Sequence, residues 1–145
     1  MITILVVEDN PGDVFLIRRA LKCLDMAFSL AVVDDGQSAV KFLECADREG
    51  KVPSLILLDL NLPKIGGATV LDSIRQNPRY KRLPVIIMTS SDSPIDHALA
   101  AQLHADHYFR KPSDLDGFMK LGEIVGDFLK LSETEAPLRK ATPTS

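Results

Sequence analysis

Polar residues suited to metal and phosphate chemistry follow several short apolar runs in this chain of 145 residues. In chain order they are Glu8, Asp9, Asp59, Asn61, Thr89 and Lys111. Carboxylates that converge repel one another unless a cation lies among them, and hard oxygen ligands suit Mg²⁺. A carboxylate beside Mg²⁺ attacks phosphorus when cations and hydrogen-bond donors surround the phosphoryl oxygens. Phosphoryl transfer is therefore the chemistry that these residue types predict.

The apolar runs and the stretches between them decide whether those side chains meet. Each apolar run predicts a buried strand. Amphipathic stretches of helical period lie between the runs and after the last run. The predicted strands are Ile2 to Val7, Phe28 to Val33, Leu55 to Leu58, Val85 to Met88 and His107 to Phe109. This alternation predicts an α/β fold, a doubly wound five-stranded parallel sheet of order 2-1-3-4-5. Ligands bind at the carboxyl ends of such strands, so this order gathers the polar residues into one crevice.

The chain divides into one domain and a tail. After Leu131 the sequence contains two prolines, several hydroxyl residues and one large apolar side chain. Such a segment cannot bury enough apolar surface to order itself. We therefore expect one domain over residues 1–131 and a disordered C-terminal tail over 132–145.

Composition and charge argue against several classes of protein. Twenty acidic residues against 17 basic ones give a net charge of −3, with no basic excess for nucleic acid. Carboxylates at positions 8 and 9 interrupt the N-terminal apolar run, which argues against a secretory signal. No run approaches the roughly 18 apolar residues that span a bilayer. We expect a soluble, cytoplasmic protein with neither a nucleic-acid nor a membrane partner.

The combination of these residues resembles the receiver domain of two-component response regulators, over about residues 1–131. The resemblance rests on the acidic pair Glu8-Asp9, then Asp59, Thr89 and Lys111-Pro112, at intervals of 50, 30 and 22 residues from Asp9 onward. It implies the flavodoxin-like receiver fold and a protein that is not an enzyme acting on a separate substrate. Such a protein catalyses only its own phosphorylation and dephosphorylation.

The resemblance also implies a role for each site residue. Asp59 would take a phosphoryl group from the phosphohistidine of a sensor histidine kinase. Mg²⁺ would be held by Asp9, Asp59 and the Asn61 backbone carbonyl, with Glu8 acting through water. Lys111 would pair with the phosphoryl group, and Thr89 would move toward it on activation.

Tyr108 matches the aromatic switch position of the family. The implied coupling is steric, since a shift of Thr89 would open space for the Tyr108 ring. That movement would change the face made by the fourth helix, fifth strand and fifth helix, which would bind a downstream protein target or pair two copies in a homodimer. The Lys111-Pro112 bond resembles a cis peptide of the family.

Two sequence segments resemble one subgroup of the family, the single-domain regulators that partner bacterial phytochromes. The segments are Val-Glu-Asp-Asn-Pro-Gly-Asp and Leu-Asp-Leu-Asn-Leu-Pro-Lys. They imply a phytochrome-type sensor histidine kinase as the partner in a phosphorelay.

Ordinary structural interpretations stand beside these roles. Glu8-Asp9 could cap the following helix, and Thr89 could belong to a capping cluster before Pro94. Lys111 could be an exposed lysine, and Tyr108 could be core filling. We interpret Cys23 and Cys45 as buried packing residues.

Two other functions stay open on the residues alone. A flavodoxin-like electron carrier shares the strand order, but Glu8-Asp9 would repel its cofactor phosphate where the fold binds it. A phosphatase of the aspartyl-phosphate type shares the Asp59 nucleophile, but it needs an acid where this chain has Asn61.

Overall fold

The computed structural model describes residues 2–90 and 93–141, with side chains through residue 130. The strands are β1 (Ile2–Val7), β2 (Phe28–Val33), β3 (Leu55–Asp59), β4 (Val85–Thr89) and β5 (His107–Arg110). The helices are α1 (Pro11–Leu21), α2 (Gly36–Glu49), α3 (Gly67–Gln76), α4 (Pro94–Gln102) and α5 (Leu115–Ala141). All neighbouring strands are parallel, in the order β2-β1-β3-β4-β5. The predicted fold class is confirmed.

The central strands are apolar on both faces because helices cover both. Alternate residues of β1 and β3 enter different clusters, such as Val6 with α1 and α5, and Val7 with α2 and α3. Every residue of β3 and β4 is buried. This burial fixes the backbone that carries Asp59 and Thr89 to the carboxyl edge.

Short polar residues cap three of the helices that begin on that edge. The Asn10 side chain accepts hydrogen bonds from the first turn of α1, Asp35 does so for α2, and Ser93 for α4. Asn10, and neither Glu8 nor Asp9, is therefore the N-cap of α1, and Ser93 is the N-cap of α4.

Helix α1 ends at Leu21, and the following turn still packs Leu24 against the core. Two local expectations can be compared with this structure. Both Cys23 and Cys45 are exposed, so their interpretation as buried residues is wrong. The tail predicted over 132–145 overlaps α5 as far as Ala141, and its last four residues lie outside the described residues, so its disorder stays a prediction.

Candidate functional site

The carboxyl edge of the sheet brings the predicted site residues together. Glu8 and Asp9 follow β1, Asp59 ends β3, and one carboxylate oxygen from each lies within 4.8 Å of the others. Glu8 and Asp59 are buried, whereas Asp9 is exposed. The group is thus a carboxylate cluster with a solvent-facing rim.

Lys111 lies at the centre of this cluster. Its Nζ is 2.6 Å from Glu8 Oε1, and it donates hydrogen bonds to Asp59 Oδ2 at 3.1 Å and Asp13 Oδ2 at 2.8 Å. The lysine side chain is only 10% exposed, so the interpretation of Lys111 as an ordinary surface lysine is wrong. One ammonium therefore faces three carboxylates.

Burial and crowding alter the protonation of this cluster. Burial, with the nearby Asp59, raises the pKa of Glu8 from its usual 4.5 to about 7, although Lys111 opposes the shift. Burial alone would lower the pKa of Lys111, but its contacts with Asp13 and Glu8 outweigh burial and raise it. The ammonium therefore stays charged while the acids compete for it.

Asn61 and Thr89 complete the crevice beside Asp59. The Asn61 backbone N–H donates to Asp59 Oδ1 at 3.0 Å, and its side-chain amide donates to Thr89 Oγ1 at 3.4 Å. Thr89 is fully buried, and its carbonyl accepts from the Lys111 N–H at 2.8 Å. Asn61 therefore links the carboxylate cluster to the end of β4.

The loop that carries Asn61 is closed by a glycine. The Gly67 N–H donates to the Leu60 carbonyl at 3.0 Å, and a Cβ on Gly67 would lie 2.2 Å from the Asp59 carbonyl oxygen. Only a residue without a side chain allows α3 to begin this close to the end of β3. The glycine thus fixes the loop beside the carboxylates.

Comparison with known proteins identifies the family. The family model of the response regulator receiver domain matches residues 4–121. The chain belongs to the response regulator receiver family. It is 37% identical over 130 residues to response regulator Rcp1 of Synechocystis sp., covering 86% of each chain.

Solved receiver structures share the fold. The crystal structure of the Mn²⁺-bound form of Rcp1 has a TM-score of 0.79 at 37% identity, with 89% of this chain and 94% of that one covered. The phosphorylated cyanobacterial phytochrome response regulator RcpA gives a TM-score of 0.80 at 34% identity, with 87% and 91% covered. The expected likeness to phytochrome response regulators is confirmed, and this receiver domain belongs to two-component signalling.

The donor set of this receiver domain fits a hard divalent cation. Glu8, Asp9 and Asp59 supply only oxygen atoms, which is the chemistry that Mg²⁺ and Mn²⁺ select. Glu8 Oε1 is buried and lies 2.6 Å from the Lys111 ammonium, which also contacts Asp13 and Asp59. One ammonium shared among three carboxylates leaves negative charge uncompensated, which favours a further cation beside them.

Tyr108, the predicted switch residue, lies on β5 of the receiver domain and outside the carboxylate cluster. It is half-buried, and its ring stacks on His97 of α4 with ring centroids 3.7 Å apart. The neighbouring Lys111-Pro112 peptide is trans, since no cis bond occurs in the described residues, and the cis expectation is wrong.

Asp13 is a site residue that the sequence did not single out. It lies in the first turn of α1, where acidic residues are common because they interact with the helix dipole. Its contact with Lys111 joins residues 98 positions apart, so no local pattern indicates it.

No helix in the described part of this receiver domain combines the length and the apolar character needed to cross a bilayer.

Proposed function

We propose that Asp59 accepts a phosphoryl group from the phosphohistidine of a sensor histidine kinase, in a phosphorelay that uses Mg²⁺. The observation that carries this proposal is the position of Asp59, which is only 4% exposed and lies against both a carboxylate group and Lys111. In this role the protein turns over no separate substrate. It receives a phosphoryl group and changes its contacts with other proteins.

The transfer needs a nucleophile and a charge to receive the phosphoryl oxygens. A carboxylate oxygen of Asp59 forms the new bond to phosphorus while the phosphorus–nitrogen bond to the imidazole breaks. The electron pair of that bond goes to the imidazole nitrogen, which takes up a proton. Lys111 pairs with the phosphoryl oxygens as a point charge, and the Thr89 hydroxyl donates a hydrogen bond to them.

The metal would bind at the carboxylate cluster. Asp9, Asp59 and the Asn61 backbone carbonyl would hold the cation, and Glu8 would contribute through water. When bound, the cation offsets negative charge on the phosphoryl oxygens and the carboxylates. The Mn²⁺-bound form of the relative Rcp1 supports an oxygen site of this kind here.

The signal would leave the site through Thr89 and Tyr108. Thr89 ends β4 and Tyr108 lies on the neighbouring strand, where its ring packs against α4 through His97. Inward movement of Thr89 would let Tyr108 leave this stack. The face formed by α4, β5 and α5 would then change its affinity for a downstream protein or for a second copy of the chain.

The kinase would be of the phytochrome type. The sequence segments around Asp9 and Asp59 support this, as does the likeness to RcpA, a cyanobacterial phytochrome response regulator. A histidine kinase fused to a photosensory module is therefore the first candidate to test as phosphoryl donor.

Acetyl phosphate with Mg²⁺ tests the chemistry directly. Intact-mass spectrometry should show a gain of one phosphoryl group in the wild-type chain and no gain in Asp59→Asn. Asp127→Asn, which changes an exposed carboxylate of α5, is the control and should still be labelled. An unchanged wild-type mass would contradict the proposal, and so would labelling that persists in EDTA.

A second experiment tests the output face. Beryllofluoride mimics a phosphoryl group on a carboxylate and should shift the amide NMR signals of both the site and α4. In Tyr108→Ala the site signals should still shift while the α4 shifts shrink. His107→Ala, a change at the exposed neighbour on the same strand, should behave like the wild type. Equal α4 shifts in both variants would contradict the switch role.

A further inference from the structure

We propose that Asp13 is a positioning residue that holds the Lys111 ammonium beside Asp59 for the anionic phosphoryl donor and takes no part in binding the metal. This inference rests on the proposed phosphoryl transfer to Asp59. It adds a contribution from α1 to a site otherwise built from the ends of the strands.

Asp13 and Asp59 both accept hydrogen bonds from the Lys111 ammonium. Lys111 Nζ donates to Asp13 Oδ2 at 2.8 Å, which is shorter than its 3.1 Å hydrogen bond to Asp59 Oδ2. The two acceptors come from different elements, the first turn of α1 and the end of β3. Besides its ion pair with Glu8 Oε1 at 2.6 Å, the ammonium is therefore tied to two hydrogen-bond acceptors, and removal of either leaves its position less determined.

The first turn of α1 is itself well fixed. The Asp13 backbone N–H donates to Asn10 Oδ1 at 3.2 Å, and the Gly12 N–H donates to the same oxygen at 2.9 Å. The Asn10 N–H donates in turn to Glu8 Oε2 at 3.2 Å. Asp13 is thus held by the same loop that carries the carboxylate cluster, and its carboxylate starts from a rigid backbone.

A lysine needs such a restraint more than most cations do. Its four-carbon stem has many rotamers, and its ammonium lacks the fixed fork of a guanidinium. Asp13 is 23% exposed and Lys111 is 10% exposed, so water screens their hydrogen bond less than it would at the open surface. A charge-assisted bond in this setting limits where the ammonium can lie before the donor arrives.

A change at Asp13 should alter the position of Lys111 without altering metal binding. The three acids whose oxygens lie within 4.8 Å of one another are Glu8, Asp9 and Asp59. Glu8 and Asp59 also contact Lys111, so changing either would disturb both functions. Asp13 contacts the lysine from outside that group, and changing it should affect the handling of the anion alone.

The test compares Asp13→Asn with a matched control, Asp96→Asn. Asp96 is the third residue of α4 as Asp13 is of α1, and both helices begin with proline, so both variants lose one first-turn carboxylate. At saturating Mg²⁺, labelling by acetyl phosphate should slow about tenfold in Asp13→Asn and stay within twofold of wild type in Asp96→Asn. Mg²⁺ affinity, measured by calorimetry, should stay within twofold in both.

A double variant decides whether Asp13 acts through Lys111. Asp13→Asn added to Lys111→Ala should cause no further loss of labelling rate, because the positioned group is already absent. Additive losses would overturn the inference, as would an unchanged or faster rate in Asp13→Asn alone. A loss of Mg²⁺ affinity that accounts for the slower rate would also overturn it. If the wild-type chain is not labelled at all, the proposed function fails instead.

Discussion

Two charged clusters lie at opposite ends of the sheet, and they balance their charges in opposite ways. At the amino end, the Arg75 guanidinium is surrounded by acceptors and has one carboxylate partner, Asp106. At the carboxyl end, the Lys111 ammonium faces three carboxylates, with Asp9 close by. The first cluster balances one cation against one carboxylate and several carbonyls, and the second carries excess negative charge.

The amino-end cluster joins segments distant in the sequence. Arg75 Nη2 donates to Asp106 Oδ2 at 2.8 Å, and the same oxygen accepts from the Val85 N–H at 2.8 Å. The guanidinium also donates to the backbone carbonyls of Tyr80, Lys81, Leu83 and His104. One side chain of α3 thereby fixes the entries to β4 and β5.

The difference separates a stabilising cluster from a functional one. A cation surrounded by a carboxylate and backbone carbonyls of the same fold holds that fold together and has little capacity left to bind a ligand. A group of acids short of positive charge costs stability and attracts a cation. The amino end therefore supports the sheet, while the carboxyl end keeps the capacity to bind ligands.

The largest effect should follow removal of the guanidinium. We expect Arg75→Ala to lower the free energy of unfolding by about 3 kcal/mol, because Asp106 loses its cation and four backbone carbonyls lose a hydrogen-bond donor. Urea unfolding measures this. Arg79→Ala is the matched control: Arg79 is 69% exposed in its ion pair with Asp47, so its loss should cost less than about 1 kcal/mol. Similar losses in both variants would remove the contrast between buried and surface pairs.

At the carboxyl end, by contrast, removal of a charge should raise the free energy of unfolding. The folded-state pKa of Glu8, about 7, exceeds its usual 4.5, so the stability that its proton contributes is complete below pH 4.5 and lost as pH rises through 7. Glu8→Gln in EDTA should therefore raise the free energy of unfolding at pH 8 by about 2 kcal/mol, a figure reduced for screening by water at the rim. At pH 4.5 the gain should vanish, and an equal gain at both pH values would contradict the charge mechanism.

The smallest effect comes from the metal. Mg²⁺ at ten times its Kd should stabilise the wild-type chain by about 1.4 kcal/mol through mass action. Arg75→Ala should gain the same amount, because the two clusters lie at opposite ends of the sheet and should act independently. Thermal unfolding with and without Mg²⁺ checks this, and an unequal gain would show that the two ends are coupled.

Much of the fold could be predicted because its signals are local. The apolar runs mark the five strands to within one residue, and the strand order follows from the general rules of parallel sheets. Glu8, Asp59 and Lys111 meet because strand ends share one edge. Their proximity therefore depends on topology alone and requires no knowledge of side-chain conformations.

The contacts that escaped prediction depend on side-chain reach across the fold. Arg75 and Asp106 are 31 residues apart, and Arg75 in the sequence looks like an ordinary last-turn helix residue. Asp13 looks like a first-turn acid for the same reason. The exposure of Cys45 depends on the rotation of α2 about its own axis as it packs on the sheet, and an apolar stripe determines that rotation only approximately.

Because Gly67 lies so close to the Asp59 carbonyl, a residue outside the carboxylate cluster controls the position of the nucleophile. Alanine there would count as a mild replacement by size and polarity, yet its methyl group must push α3 away or tilt the peptide that bears the nucleophile. Natural variation should thus be narrow at a residue that touches neither ion nor phosphorus. A screen limited to side chains that face the reacting atoms would overlook it.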